Sequence, residues 1–338
     1  MRKIFKKAFP LLVSIPLFTS LSFADNNHYP VKIESCGHVL TFDKAPEKVV
    51  GIGQGTVEIL YSLGLADKVA GTALWVEPVM EEFKEVNAKI DVLADNDVSF
   101  ESIIAKKPDL ITNQFQWQIG PVGIVASVEQ FDELGIPVYT SPADCVAKDN
   151  SDGGDGVRAN AFTMDVIYQE ISELAKIFNV EDRGNKLISD LKNRENLAKA
   201  KVQGLPNNIS ALFWFSSADA ESDPYVAGSK GAPGYIMSTL GLKNIVDTAE
   251  EWPSVSWETI VRESPTMIVV GDMSRRRFAL DDVKVKLEYL NNDPVLKLIP
   301  AVENQRIVII GAQSMNPTLR TIEGLEKVAD AISKMNLQ

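Results

Sequence analysis

The feature of this sequence that most constrains its fold is a segment of fourteen residues that occurs twice. Residues 98–111 and 255–268 align without a gap at an offset of 157, and both begin with Val-Ser-aromatic-Glu and carry a proline before the last apolar positions. A second pair, residues 58–65 and 235–242, is related at an offset of 177. Because a repeated unit in sequence indicates a repeated unit in structure, the chain is predicted to form two lobes of similar construction.

In both halves, short β-branched runs alternate with amphipathic helical stretches. In the first half, Val49–Ile52 has the composition of a strand, and residues 56–63 have that of a helix that ends at Gly64. This alternation is typical of α/β proteins, in which helices flank a mainly parallel sheet. We therefore expect an α/β fold with one such sheet in each lobe.

Two helical stretches separate the halves, at residues 162–178 and 180–202. A continuous helix over the second stretch would be about 33 Å long at 1.5 Å per residue, enough to cross from one lobe to the other. Since a helix is stiff, we expect one long rigid helix to join the lobes and to limit their opening. The predicted divisions are an N-terminal lobe at 25–160, connecting helices at 161–203 and a C-terminal lobe at 204–338.

The first 24 residues have the pattern of an export signal. Four basic residues precede an apolar run at residues 8–23, and the small-x-small sequence Ser22-Phe23-Ala24 predicts cleavage after Ala24. A transmembrane anchor is the alternative, but the run is short and is interrupted by Pro10 and Pro16. No cysteine lies near the cleavage site to carry a lipid. We therefore expect an exported protein without a membrane anchor.

Removal of the signal leaves a strongly acidic chain. The mature portion has 30 Lys and Arg residues against 46 Asp and Glu residues, which gives a formal charge of −16. Nucleic acids and anionic membrane surfaces bind basic protein faces. Neither is therefore an expected partner.

Histidine is nearly absent, with only His28 and His38 in the whole chain. This scarcity disfavours most general-base mechanisms, and the sequence lacks the motifs of metalloproteases, serine hydrolases and dinucleotide-binding enzymes. Acids are abundant enough for a carboxylate-pair glycosidase, but abundance alone is no evidence for one. A bare zinc or manganese site would need several histidines. We expect a protein that is not an enzyme and has neither a metal site nor an intrinsic cofactor.

The chain has two cysteines, Cys36 and Cys145, both in the first half. An exported protein meets an oxidising compartment, where a disulfide forms readily. Cys36 lies in a predicted turn after the first strand, and Cys145 follows the predicted strand at residues 136–139. A bond between them would tie the first strand of the lobe to its last. Two buried free thiols are the alternative, and two thiols alone rarely hold a metal.

Several short motifs, in this order and spacing, resemble one known family. It comprises the periplasmic substrate-binding proteins of ABC importers for ferric siderophores, haem and cobalamin, the class with a single helical backbone between two lobes. The matching segments cover nearly the whole mature chain and are Ala45–Val50, Thr56–Leu65, Val98–Glu101, Lys107–Ile111, Leu134–Val138, Gly241–Leu242 and Val255–Glu258.

The resemblance implies a periplasmic monomer with a ligand cleft between its lobes and an ABC permease dimer in the inner membrane as its partner. In that family, a glutamate on top of each lobe docks onto a permease subunit, and by motif Glu101 and Glu258 occupy those positions here. Two exposed carboxylates at a fixed separation would orient the loaded protein on a two-fold permease. The alternative is that each is a helix-start acid that favours the helix dipole.

The cleft is expected to be lined by loops that follow strands in both lobes. For Trp117 and Trp214, the alternative is core packing, and for the run of three arginines it is a solvated loop. The predicted ligand-binding residues are Gln54, Trp75, Gln114, Trp117, Trp214, Tyr225, Ser229, Lys230, Arg275, Arg276, Arg277 and Gln313.

The arginines favour an anionic ferric siderophore as the ligand, because guanidinium groups pair well with oxyanions. Haem with Tyr225 as an iron ligand, cobalamin, other metal chelates and an oxyanion stay open as alternatives. So does a different class of function, a signalling or adhesion module that keeps the bilobal fold without transport.

Overall fold

Each half of the protein is built on its own five-stranded sheet. The computed structural model describes residues 28–152, 155–204, 208–274 and 277–335. The predicted export signal and its cleavage site therefore lie outside the described residues.

The first half carries a fully parallel sheet and two small hairpins. Its strands, β1 to β9 in chain order, are Val31–Ser35, His38–Phe42, Val49–Ile52, Val69–Ala73, Val92–Ala94, Leu110–Asn113, Val138–Thr140, Lys148–Asp149 and Val157–Arg158. Its helices, α1 to α4, are Gln54–Ser62, Lys84–Asn87, Phe100–Ala105 and Val128–Asp132. The sheet has the order β5-β4-β3-β6-β7 with parallel pairings. The hairpins β1-β2 and β8-β9 are antiparallel.

The second half repeats this plan with one antiparallel strand at the edge. Two helices, α5 and α6, lead into it and are Asp165–Ile177 and Glu181–Lys201. Its strands, β10 to β14, are Ser210–Ser216, Tyr225–Val226, Lys243–Asn244, Met267–Asp272 and Ile307–Gly311. Its helices, α7 to α12, are Ala232–Thr239, Trp257–Glu263, Val283–Asn292, Pro300–Glu303, Ala312–Met315 and Thr321–Lys334. The order is β11-β10-β13-β14, with β12 beside β10. The central strands β3 and β13 are buried along almost their whole length, as expected for parallel strands covered on both faces, and the predicted fold class is confirmed.

The repeated segments adopt the same local structure in the two lobes. The side chain of Ser99 accepts a hydrogen bond from the backbone N–H of Ser102 at the start of α3, and Ser256 accepts one from Thr259 at the start of α8. Such N-caps stabilise a helix start. The second pair also matches, because α1 and α7 are each followed by a glycine with positive φ, at Gly64 and Gly241. The prediction of two similar lobes is confirmed, and the likeness extends to the residues that begin and end the matching helices.

The long helix α6 joins the lobes as predicted. Its 21 residues extend over about 30 Å. Near its start, Arg183 donates to the carbonyl oxygen of Leu63 at 3.0 Å in the first lobe. Further along, Arg194 makes a two-point contact with Glu326 of α12, at 2.9 and 2.6 Å. The helix therefore contacts both lobes and crosses between them.

Buried ion pairs between side chains also hold the lobes together beside this helix. On the side of α1 and α12, named here the hinge side, Arg320 of the second lobe pairs with Glu58, with Nε 2.7 Å from Oε2, and with Glu77 at 2.6 Å. On another side, the hairpin β8-β9 reaches the second lobe, where the side chains of Lys148 and Arg158 pair with Glu251. Buried charges thus fix the lobes to each other at two places besides α6.

The predicted disulfide is present between Cys36 and Cys145, whose Cα atoms are 5.6 Å apart. Cys36 lies in the turn between β1 and β2, and Cys145 follows β7. The bond therefore ties the first hairpin of the lobe to the end of its last sheet strand.

Within the described ranges, none of the helices combines the length and the apolar character that a bilayer crossing demands.

Candidate functional site

A cavity of about 280 Å³ lies between the lobes, where loops that follow the strands of both sheets meet. Its lining residues come from both halves of the chain. They are Leu74, Val76, Phe115, Trp117, Asp155, Phe215, Ser216, Tyr225, Trp252, Met273, Arg277, Phe278, Asp281, Gln313 and Asn316. The carboxyl ends of parallel strands are the usual position of ligand sites in α/β sheets. This cavity is therefore the candidate site.

A larger open depression, of about 820 Å³, lies beside the disulfide. It is lined only by the first lobe and by α5. A bilobal protein gains affinity by enclosing its ligand between the lobes. We therefore take the interlobe cavity as the candidate site, although the depression beside the disulfide is larger.

Two aromatic pairs, one from each lobe, line the cavity. In the first lobe, Phe115 and Trp117 stack with ring centroids 5.9 Å apart. In the second lobe, Phe215 and Trp252 lie 4.6 Å apart at a tilted angle. Aromatic faces give large apolar contact area in fixed orientations. The cavity is thus suited to a ligand with apolar or planar faces.

The loop after β13 is shaped by a buried carboxylate. Asp281 accepts hydrogen bonds from the Ser216 hydroxyl at 2.5 Å and from the backbone N–H groups of Arg277 and Phe278 at 2.7 and 2.9 Å. All these contacts come from the protein itself. Asp281 therefore holds the loop in place, with its hydrogen-bonding capacity largely used.

Two other lining side chains keep hydrogen-bond acceptors that are available to a ligand. Asp155 keeps solvent-accessible surface on the cavity side, yet desolvation by the protein around its carboxyl raises its pKa to about 6, with a smaller contribution from the nearby Glu251. The Gln313 side chain is buried, and its Oε1 atom has no hydrogen-bond partner among the described residues. Each can accept a hydrogen bond from a ligand donor.

At the rim, Arg277 pairs with Asp97 of the first lobe at 3.3 Å. Both side chains are 43% exposed. Asp97 also accepts a hydrogen bond from Gln118 at 3.0 Å. The guanidinium therefore closes the cavity edge while staying open to solvent.

Of the predicted ligand-binding residues, four line this cavity: Trp117, Tyr225, Arg277 and Gln313. Arg275 and Arg276 lie outside the described residues. The remaining six are placed elsewhere, for reasons that differ between the lobes.

In the first lobe, the predicted glutamines support the cleft wall. The Gln54 side chain accepts hydrogen bonds from the backbone of Val76 and Glu77, both at 3.2 Å, and Gln114 accepts one from Gly55 at 2.8 Å. Both side chains are buried. They fix backbone positions and do not line the cavity.

In the second lobe, Trp214 is corrected from a cleft residue to a core residue. It is fully buried, packs edge-to-face on Trp257 with ring centroids 4.9 Å apart, and donates its indole N–H to the carbonyl oxygen of Ser216 at 3.0 Å. The strand β10 alternates faces, so that Phe215, the next residue, points to the cavity instead.

Ser229 and Lys230 also serve the structure. Ser229 donates to the carbonyl oxygen of Thr248 at 2.8 Å, and Lys230 donates to those of Arg158 and Ala159 at 3.0 and 2.9 Å. Lys230 therefore helps to fix the hairpin β8-β9 on the second lobe. Trp75, the last of the six, lines a neighbouring cavity.

The sequence analysis missed Asp155, Trp252, Phe278 and Asp281. Phe278 and Asp281 follow the arginine run on a loop after a strand, and that position was an available signal. Trp252 lies shortly before the second repeat, and Asp155 lies in the polar, glycine-rich sequence at residues 149–156. Nothing in the sequence places these two beside the cleft.

The two repeated glutamates are both exposed. Glu101 lies in the first turn of α3 and Glu258 in the first turn of α8. They have equivalent positions in the two lobes, which the docking hypothesis requires.

Across the described part of the chain, no group of three or more His, Cys, Asp or Glu side chains is placed to hold a metal ion.

Comparisons with known proteins agree with this architecture. The sequence profile of the family described as "Periplasmic binding protein" matches residues 49–314. The uncharacterized ABC transporter substrate-binding lipoprotein YvrC of Bacillus subtilis is 23% identical over 310 residues, which cover 90% of this chain and 86% of that protein. The vitamin B12-binding protein of Yersinia pestis is 24% identical over 257 residues, 74% of this chain and 80% of that protein.

A solved structure described as an ABC-type Fe3+-hydroxamate transport system from Saccharomonospora viridis superposes with a TM-score of 0.71. Its sequence is 23% identical, and the match covers 90% of this chain and 99% of that chain. The similarity of fold therefore extends over both lobes. The chain belongs to the periplasmic binding protein family, whose members are components of transport systems and not enzymes.

Proposed function

We propose that this protein captures a ferric siderophore between its lobes and delivers it to an ABC permease in the inner membrane. The observation that carries the proposal is the interlobe cavity at the carboxyl ends of both sheets, with one aromatic pair from each lobe. The fold it shares with a structure described as part of an Fe3+-hydroxamate transport system supports the same ligand class.

The charges of the cavity refine the choice among ferric siderophores. Among the described lining residues, Arg277 is the one cation, and it is already paired with Asp97. Asp155 and Asp281 are carboxylates. A ferric tris-catecholate carries three negative charges, whereas a ferric tris-hydroxamate is neutral. The lining formed by the described residues therefore favours a hydroxamate over the strongly anionic ligand that the arginine run suggested.

A corrinoid is the second candidate. The vitamin B12-binding protein of Yersinia pestis covers 74% of this chain, and a corrin ring also has broad apolar faces. Both candidates are metal chelates of low charge. Direct binding measurements with each ligand class distinguish the two candidates.

The test is a titration of the purified protein followed by tryptophan fluorescence, since Trp117 and Trp252 line the cavity. We expect saturable quenching at one complex per protein with ferrioxamine B or ferrichrome, and weaker binding of a ferric tris-catecholate. The metal-free chelators and a Trp117→Ala variant are the controls. Saturation by cyanocobalamin and not by a ferric hydroxamate would select the second candidate. No response to either class would overturn the proposal.

Delivery requires export, and we propose cleavage after Ala24 to give a periplasmic protein. YvrC is named a lipoprotein, but this chain has no cysteine near the cleavage site to carry a lipid. N-terminal sequencing of the protein from a periplasmic fraction is expected to begin at Asp25. A mature protein that stays with the membrane fraction would contradict this assignment.

A further inference from the structure

A second cavity adjoins the candidate site. It is open, has a volume of about 440 Å³, and is lined by Thr72, Trp75, Asn87, Val92, Asp95, Asn96 and Ser274. Ser274 belongs to the second lobe and the others to the first. This cavity, named here the Trp75 cavity, therefore also lies at the boundary between the lobes.

One thin wall separates the two cavities. Trp75 lines the Trp75 cavity and Val76 the central one, while Ser274 lines the first and Met273 the second. The wall is closed by a hydrogen bond from the Ser274 N–H to the Val76 carbonyl oxygen, at 3.1 Å. Consecutive residues of both lobes thus face opposite sides of the same wall.

The rim ion pair lies next to this wall. Asp97 comes directly after Asp95 and Asn96 of the Trp75 cavity, and its partner Arg277 lines the central cavity. The two cavities therefore share a border that is crossed by hydrogen bonds from the N–H and the hydroxyl of Ser274 to the Val76 carbonyl oxygen and by one ion pair.

The Ser274–Val76 hydrogen bonds and the Asp97–Arg277 ion pair are the weakest of the described contacts that join the lobes. Exposed ion pairs contribute little to stability, and Asp97 and Arg277 are each 43% exposed. The side chains of Arg320, Glu58 and Glu77 on the hinge side are at most 8% exposed, and breaking such a pair leaves a buried charge uncompensated. If the lobes separate anywhere, they separate first at the wall, and the two cavities then merge.

The central cavity alone is small for a chelate. Its volume of about 280 Å³ lies below the range of about 300–1,000 Å³ that is usual for ligand pockets. A ligand larger than the central cavity needs adjoining space, and the Trp75 cavity is the described space next to it across the weakest border.

We propose that the Trp75 cavity is a second ligand subsite, which takes a peripheral arm of the chelate that bears hydrogen-bond donors. Trp75 is partly exposed and offers an indole face for the arm. The Oδ1 atom of Asn96 is buried and has no hydrogen-bond partner among the described residues, and the Asp95 carboxylate lies beside it on the cavity lining. An amide N–H or an ammonium group matches these acceptors. This inference rests on the proposed function.

The experiment uses two ferric tris-hydroxamates that share a metal centre. Ferrioxamine B is linear and carries a pendant ammonium arm, whereas ferrioxamine E is a closed ring without one. We expect Trp75→Ala to weaken binding of ferrioxamine B by about tenfold, the scale of a tryptophan contact at a binding site, and to leave ferrioxamine E within about twofold. Trp117→Ala, in the central cavity, is the matched variant and is expected to weaken both complexes.

Equal weakening of both complexes by Trp75→Ala, or no change in either, would overturn the subsite. Wild-type protein that binds neither complex would refute the ferric hydroxamate proposal itself, which is a separate result. Trp75 packs against the main core, so thermal melting must first show that the variant is folded. Should it not fold, Asn96→Ala and Trp75→Phe give the same comparison, because each alters the cavity without removing core volume of that size.

Discussion

The N-terminal and C-terminal lobes have the same helix start on their outer surface and different loops on the cleft. α3 and α8 share the serine cap and the exposed first-turn glutamate. Behind them, each lobe gives the cavity an aromatic pair, but the polar groups of the loops differ: among the described lining residues, the cation Arg277 comes from the second lobe. The surface that would meet a two-fold partner is alike in the lobes, and the surface that would meet an asymmetric ligand is not.

The two sides also differ in the titratable group buried beneath their cleft loops. On the side of the first lobe, the buried carboxyl of Glu170, which lies on α5, accepts a hydrogen bond from Ser141. In the second, the buried ammonium of Lys286 donates to the carbonyl oxygen of Gly271 at 2.6 Å and to that of Phe215. The cleft loops on the two sides are thus held by buried groups of different chemistry.

The likeness of α3 and α8 predicts the largest effect. Reversal of both charges, Glu101→Arg with Glu258→Arg, is expected to lower uptake in cells by at least about tenfold, because two oriented docking contacts are lost. Affinity for the ligand should be unchanged within about twofold, since both side chains lie outside the cavity. Glu129→Arg, another exposed first-turn acid, is the control and should transport normally. Unchanged uptake in the double variant would end the docking hypothesis.

The disulfide distinguishes the first lobe from the second. It closes a loop with a sequence separation of 109 residues, for which the chain-entropy estimate is about 4.7 kcal/mol. Cys36→Ser with Cys145→Ser is expected to lower the free energy of unfolding by about 4 kcal/mol in urea titrations. A loss below about 1 kcal/mol would show that the cross-link hardly constrains the unfolded chain.

The ion pairs that join the lobes predict a similar loss of stability. Arg320→Met leaves Glu58 and Glu77 buried without their cation, which is expected to cost about 4 kcal/mol. Arg194→Met is the control, because its pair with Glu326 is partly exposed and should contribute below about 1 kcal/mol. Equal losses in the two variants would contradict the assignment of Arg320 as the main hinge-side tie.

The buried Glu170 on α5, next to Ser141 of the first lobe, predicts a pH dependence of the free energy of unfolding. Desolvation raises its pKa from 4.5 to about 7, so the folded state prefers the protonated carboxyl. Its contribution to stability is therefore full below about pH 4.5 and is lost as the pH rises through about 7. The loss amounts to about 3 kcal/mol.

Glu170→Gln removes this titration while keeping the shape of the side chain. The variant is expected to match wild type near pH 4.5 and to exceed its unfolding free energy at pH 8 by about 3 kcal/mol. Chemical unfolding at both pH values measures the difference. The same slope of stability against pH in both proteins would contradict the raised pKa.

The sequence repeat predicted the two lobes, the helical period predicted α6, and the two cysteines predicted the Cys36–Cys145 bond. These features could be predicted because each depends on a local sequence pattern or on one possible partner. The site was predicted only in part. On β10, the sequence could not show which of Trp214 and Phe215 faces the cleft, since neighbouring aromatic residues in a covered strand have the same composition signal. Asp155 reaches the cavity only because the hairpin β8-β9 is held by Glu251, a residue 96 positions further along the chain.

The central claim is that the interlobe cavity carries a metal chelate. Native mass spectrometry of the protein purified without unfolding from iron-limited cells tests it most directly. We expect a mass increment that matches one ferric chelate per protein, present in wild type and lost in Trp117→Ala. An increment from a solute of another class, such as a sugar or an amino acid, would contradict the account, and so would a chelate that Trp117→Ala retains in full.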